Sequence, residues 1–205
     1  MAFDVASFLA NGLTYGGARP SKFDVFPTIP SALIGVIDPS SAAKFQFTCR
    51  AASIPAFTLG MAPIPYFGRI IKSSGDRTWA DWQVMVMLDE DYNTRAMMEA
   101  WNNSINALNS NVMDSQEDNS SQTTIGAFTD ENFKTNWNIN HYGKDGSQIR
   151  QYTLIGAWPR EVGAMQLNWE STNQISEFSC IISFDSMVPS LEGAKGNQTT
   201  YADLV

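Results

Sequence analysis

Glu170 and Glu177 come nearest to a catalytic pair in this chain. Two carboxylates on adjacent strands can flank a glycosidic bond, one as acid and the other as nucleophile or base. In this sequence both stand among alternating polar residues, and a solvated face explains them better. Asp89-Glu90-Asp91 could ligate a hard cation, but the triplet falls between a strand pattern and a helix pattern. Carboxylates there accept hydrogen bonds from the free first-turn N–H groups and suit the positive end of the helix dipole. His141 is the one histidine, set in a polar stretch without a nearby cysteine, so a zinc site lacks its ligands. Cys49 and Cys180 share strand parity with Phe45 and Phe47, and with Phe178, Ile182 and Phe184, which predicts buried free thiols and no disulfide. There is no phosphate-binding P-loop, no glycine-rich dinucleotide turn and no G-x-S-x-G. The residues predict no enzyme, no cofactor and no metal.

The elements that would position any site are those of one domain with arms. The chain has 205 residues with 43% hydrophobic and 12% aromatic content, ample for a core. Its formal net charge is −8, which argues against holding nucleic acid through the phosphates, since that needs clustered Lys and Arg. The N-terminus lacks the basic start and apolar core of a signal peptide, and no window has the length of a membrane span. These features place synthesis in the cytoplasm and predict no membrane insertion.

Residues 66–101 organise the chain. Arg69–Lys72 is β-prone, Ser73–Asp76 supplies turn chemistry, and Trp82, Val84, Val86 and Leu88 share one face of a central strand at period two. Met98, Trp101, Ile105 and Leu108 then form a single apolar helix stripe. Before this block, residues 3–10 suggest a short amphipathic helix, 22–26 a strand start, and 27–43 a loop or a strand extension bent by prolines. Lys44–Arg50 alternates cleanly and reads as a half-buried strand. Residues 53–68, broken by Pro55, Pro63 and Pro65, read as a loop so rich in apolar groups that it needs a cover, either its own core or, the reading preferred, an interface. Its candidates are Phe57, Met61, Ile64, Tyr66 and Phe67. After the helix, 109–148 reads as a polar loop insertion with a short element near Ile125–Phe128. Gln148–Trp158, the alternating Met165, Leu167 and Trp169, and Phe178–Phe184 read as strands, with turns at 160–163 and 171–173. The tally predicts a mainly β fold: a β-sandwich or partly open barrel with one flanking α-helix. Domain limits are a 1–20 arm, a 21–188 β domain and a 189–205 arm.

Several ordered motifs carry a resemblance. Ala18-Arg19-Pro20 precedes Phe23; then come Phe45-Gln46-Phe47-Thr48-Cys49-Arg50-Ala51-Ala52-Ser53-Ile54-Pro55, Gly75-Asp76-Arg77-Thr78-Trp79-Ala80-Asp81-Trp82 and Met87-Leu88-Asp89-Glu90. Gly156-Ala157-Trp158-Pro159 and Leu167-Asn168-Trp169-Glu170 follow near the end. Over 18–101 and 148–185 the chain resembles the tail tube proteins of contractile-tailed bacteriophages. Each motif is short, and their order and spacing together make the likeness specific.

The resemblance implies a structural virion protein of the tail, whose strands continue into a hexameric ring barrel. Rings would stack into a hollow conduit for genome ejection. Its implied partners are copies of itself, the tail sheath protein, baseplate and tail terminator proteins, and the tape measure protein and DNA in the lumen. Type VI secretion and contractile bacteriocin tubes share that architecture and are the alternative reading; a small-ligand β-barrel is the remote one. Polar strand faces opposite core residues would line the lumen, which selects Gln46, Thr48, Glu177, Ser179 and Ser183. Net negative charge would let DNA slide by repelling phosphate.

Overall fold

A computed structural model describes residues 4–13, 16–30, 33–106, 108 and 133–190. In chain order these form helix α1 (Val5–Asn11), strand β1 (Phe23–Phe26), helix α2 (Pro39–Thr48) and strands β2 (Cys49–Ala52), β3 (Phe57–Tyr66), β4 (Arg69–Trp79) and β5 (Trp82–Met87). Helix α3 (Asn93–Ile105) follows, then strands β6 (Thr135–Tyr142), β7 (Gln148–Val162), β8 (Glu177–Ser183) and β9 (Ser186–Ser190). The fold is mainly β, as the patterning predicts. Three helices are described: α1 near the short helix expected at 3–10, α3 as the expected flanking helix, and α2, which was not expected.

Seven strands form one antiparallel sheet in the order β1-β6-β7-β8-β5-β2, with β9 added beside β7. The sheet is open and does not close into a barrel. Its corner is β7, whose first half pairs with β6 and β9 and whose end pairs with β8. Gly156 makes the corner possible: its φ of +68° is a region that side chains with a Cβ seldom enter. The bend also resets the side-chain alternation, so Leu154 and Ala157, three residues apart, are both buried. A strand that changes partners in this way folds the sheet over its own core.

That core centres on Trp137 of β6. Its ring meets Phe45 of α2 at 5.5 Å and Trp82 of β5 at 6.1 Å, both edge-on, and Trp101 of α3 at 6.1 Å. Four aromatic side chains from four elements thus fix α2, α3 and the two halves of the sheet against one another. Such pairs contribute roughly 0.5–1.5 kcal/mol each beyond the area they bury. Trp82, Val84 and Val86 are fully buried on the predicted face of β5, and Phe178, Cys180 and Ile182 on that of β8.

Helix α3 buries Met97, Met98 and Trp101, with Ile105 half-buried. Leu108, the fourth residue of the expected stripe, lies beyond the helix and is 85% exposed. The cap differs in detail: Tyr92, at φ 55°, is the N-cap without a side-chain bond, while Asp91 Oδ1 accepts the N–H of Asn93 at 3.1 Å. The predicted carboxylate cap is present one residue upstream.

Of the strand expected at 44–50, only Cys49 and Arg50 are in one, β2; residues 44–48 are helix. Asp38 caps Ser40 at 2.8 Å, Pro39 opens α2, and the helix runs through Thr48. Ser41, Phe45 and Cys49 are buried at a spacing of four, whereas Phe47 is 76% exposed. A helical period imitated alternation over a few residues.

Three further segments depart from expectation. The proline-broken loop at 53–68 is largely strand β3, and the turn expected at 73–76 lies inside strand β4. Trp137, Ile139 and His141 belong to β6, within the stretch read as a polar loop, and β7 runs through the turn expected at 160–163. The alternating stretch around Leu167 and Trp169 forms no strand, and β8 is followed by β9. The short element expected near 125–128 and most of the C-terminal arm lie outside the described residues.

Both cysteines are free and buried, as expected. Burial pushes each thiol up to about 12. The folded chain therefore favours neutral thiols. Their contribution to stability is complete below the unfolded thiol pKa of about 8.5 and is lost as pH rises toward 12. Iodoacetamide at pH 8 should leave Cys49 and Cys180 unmodified in the native protein and label both in denaturant. Mass spectrometry checks this, and rapid native labelling would contradict the burial.

Candidate assembly surfaces

Strands β3 and β4 form a two-stranded sheet of their own, an arm about 30 Å long by the rise of its eleven-residue strand. Every residue of β3 is exposed and most of β4 is too. The arm is fixed at its base. Trp79 lies between Phe57 at 5.4 Å and Phe184 of the core at 6.0 Å, and Arg77 stacks over Phe57 at 5.1 Å.

Pairing of Ile64 with Ile71 and of Pro65 with Ile70 defines two faces. One carries Phe57, Leu59, Met61, Pro63 and Pro65; the other carries Ala62, Ile64 and Tyr66. Between Leu59 and Met61 the register shifts, and Gly60 and Gly75 face one another there. A Cβ at Gly75 would lie 2.9 Å from the Gly60 carbonyl carbon, so this crossing excludes a side chain. Pro63 and Pro65 are two residues apart and so withhold an N–H on the same side of the strand. They fit because, among the described residues, no strand pairs with β3 on its outer edge.

The two-residue turn at the tip is Phe67-Gly68, with φ of 43° and 78°. Such turns favour asparagine or aspartate followed by glycine. This chain instead places a phenylalanine there, 92% exposed, with Tyr66 packed edge-on at 4.7 Å. A strained backbone under an exposed aromatic ring is unfavourable in an isolated subunit. Residues held so are a functional signal.

All five interface candidates, Phe57, Met61, Ile64, Tyr66 and Phe67, therefore sit on this arm. The lumen candidates do not share one surface. Glu177, Ser179 and Ser183 lie on one face of β8, opposite Phe178, Cys180 and Ile182. Gln46 and Thr48 belong to α2, which packs over the other side through Phe45. The Gln46 amide donates to Asp24 Oδ2 at 3.1 Å, and the Thr48 hydroxyl donates to the Lys44 carbonyl at 3.1 Å. Their assignment to a strand face is withdrawn with the strand itself. Asp24 Oδ2 also accepts the Tyr142 hydroxyl at 2.8 Å. Burial, then that bond, pushes the Tyr142 phenol upward.

The chemistry-bearing residues are dispersed. Glu177 pairs with Arg50, and Lys44 with Asp89 and Asp91. Glu170 lies in a turn and not on a strand beside Glu177, as the carboxylate-pair reading required. His141 Nε2 is 2.8 Å from the Arg19 carbonyl. No helix among the described residues is long and apolar enough to cross a membrane.

Residues 18–188, which span nearly all of the sheet, helices α2 and α3 and the arm, match the family model described as phage tail tube protein. The chain belongs to the phage tail tube protein family. It is 31% identical over 143 residues to tail tube protein gp19 of Enterobacteria phage T6, covering 69% of this chain and 80% of that one. The T4 counterpart agrees equally well, and a tail tube protein of Serratia phage KSP90 is 24% identical over 147 residues. Among solved structures, a chain of the anti-feeding prophage baseplate superposes with a TM-score of 0.57 at 14% identity, covering 88% of this tail tube family member and 98% of that chain. A chain from the sheath/tube terminator of the extracellular contractile injection system PVC gives 0.57 at 11% identity, covering 85% and 96%. Likeness of that depth establishes a shared fold. The N-terminal and C-terminal ends of the sequence fall outside the family match.

A tube subunit works through surfaces, so the missed signals concern exposure. The strand character of 57–66 was visible in Phe57, Leu59 and Met61 at period two, but three prolines masked it. The exposed apolar residues Leu167 and Trp169 were read as part of a strand pattern, and the likewise exposed Ile175 was given no role. Their pattern was real, and no strand partner uses it.

Proposed function

We propose that the chain is the tail tube subunit of a contractile phage tail, forming hexameric rings that stack into a hollow conduit for the genome. Family membership supports the tube. The observation that carries ring and stack formation is the arm: a long projection, apolar on both faces, with a strained and exposed aromatic tip. An isolated subunit gains nothing from that surface, and a polymer buries it. Ring closure has strand edges available as well. The main sheet ends in β1 and β2, and pairing such edges around a ring removes them. Domain limits of 21–188 with terminal arms fit this use.

The lumen-facing surface in this reading is the Glu177, Ser179 and Ser183 face of β8. It lies on the side of the sheet away from α2 and α3. Glu177 is paired with Arg50, so the face offers no row of free cations to hold phosphate. Sheath, baseplate, terminator, tape measure protein and DNA are the corresponding partners, and the virion tail is the location after assembly in the host cytoplasm. Superposable folds from a baseplate and a sheath/tube terminator support the contractile context. Negative-stain microscopy of the purified protein tests the proposal. Long hollow rods with six-fold rings are expected, and persistent monomers at high concentration would reject it.

A further inference from the structure

We propose that the arm of one copy docks end-to-end on the opposite pole of the next, on an apolar surface built from Leu167, Trp169 and Ile175. This rests on the tube reading and names the receiving surface for its stacking contact.

The three residues lie between β7 and β8 in a segment with no helix or strand. They are 77%, 103% and 66% exposed, so the Trp169 ring touches almost nothing of its own chain. The segment is nevertheless anchored, because Leu88 N–H donates to the Ser176 carbonyl at 2.9 Å. That bond and the pairing of Met87 with Glu177 set it at the Met87 end of β5. The arm leaves from the other end, through Ala80 and Asp81 just before Trp82, with Ala80 N–H bonded to the Ala56 carbonyl at 3.0 Å. Arm and apolar segment therefore project from opposite ends of one six-residue strand about 17 Å long.

Charge matches the two. The outer arm, residues 61–74, contains Arg69 and Lys72 and no acidic residue. The receiving pole holds Asp89, Glu90, Asp91, Glu170 and Glu177 against Lys44 and Arg50. Those two cations are engaged with Asp89, Asp91 and Glu177, which leaves Glu90 and Glu170 without an ion pair among the described residues. An apolar arm with a cationic tip thus faces an apolar pole rimmed by carboxylates. The occupant is a second copy of this chain. Because the two surfaces are distinct and at opposite ends, their contact is heterologous and repeats without closing, which generates a stack. An exposed tryptophan at the centre of such a patch has the character of a binding hot spot.

The test compares wild type with Trp169→Asp, with Arg69→Glu/Lys72→Glu, and with that double variant combined with Glu90→Lys/Glu170→Lys, by sedimentation and negative-stain microscopy. Trp169→Asp should keep the wild-type melting temperature of the subunit and form rings, while raising the concentration needed for rods by roughly thirtyfold or more. Reversing the arm charges should suppress rods, and reversing the pole charges with them should restore rods. Rods of wild-type length from Trp169→Asp would overturn the proposal. Loss of rings as well as rods in that variant would also overturn it, by placing the segment in the lateral contact. Failure of the combined reversal to restore rods would remove the arm as the occupant. If wild type forms no rods, the tube reading itself fails and the inference goes with it.

Discussion

Trp101→Ala should lower the stability of an assembly-blocked subunit by about 3–5 kcal/mol, the range for truncating a buried large aromatic residue. Trp101 is fully buried on α3, and its ring lies 6.1 Å from Trp137 at the centre of the core. Its indole N–H donates to the Phe133 carbonyl at 2.9 Å, which ties the chain entering β6 to the helix. Alanine removes the ring, the aromatic contact and that hydrogen bond together, and α2 cannot move in to fill the space because Phe45 is already held edge-on by Trp137. For a chain of this size each kcal/mol is roughly 2–4 °C, so the melting temperature should fall by about 10 °C. A thermal melt reads this directly. A change within one degree of wild type would remove Trp101 from the core.

The same core shows which parts of the fold were legible. Strands β5 and β8 were readable because one face of each is buried and the other is not, so Trp82, Val84 and Val86, or Phe178, Cys180 and Ile182, alternate without interruption. Helix α3 was readable because Met98 and Trp101 recur at helical spacing on one buried side. Helix α2 was not, although Asp38-Pro39 carries both a cap residue and proline at the first helical position. Alternation from Phe45 to Cys49 outweighed that start signal, and the exposed Phe47 supplied the false beat. Strand β6 was hidden for the opposite reason: Asn136, Asn138 and Asn140 surround Trp137 and Ile139, and composition suggested a loop. In the arm, Pro63 and Pro65 argued against a strand because proline cannot join an internal ladder, but among the described residues β3 has a free edge where no donor is needed. Patterns formed by packing within the subunit could be read. Where the outer surface sets the residue choice, as in the arm and around Trp169, the signal was exposed apolar side chains, which packing within the subunit does not explain. That is why 53–68 was read as an exposed apolar patch while its conformation was misread.

Tyr66→Asp and Met61→Asp should each abolish rods while leaving the subunit folded. The two positions probe opposite faces of the arm, since Tyr66 shares a face with Ile64 and Met61 shares the other with Leu59 and Pro63. Both side chains are exposed in the subunit, so aspartate there is solvated and leaves the core untouched. In an assembled tube the same carboxylate would be taken out of water without a dedicated partner, which costs several kcal/mol for each ion. In a hexameric ring that penalty recurs six times, more than enough to prevent growth at any practical concentration. Phe57→Asp is a less direct probe, because Phe57 also stacks on Trp79 and beneath Arg77 at the base of the arm. Its loss would loosen the arm as well as charge it. Tyr66→Asp removes the edge-on packing with Phe67 at the tip, away from the base of the arm. Melting within about a degree of an assembly-blocked reference, together with absence of rods in negative stain, is the expected pair of results. Normal rods from Tyr66→Asp alone would leave only the Met61 face buried in the tube. Normal rods from both variants would show that the arm stays in solvent and that other surfaces hold the rings together.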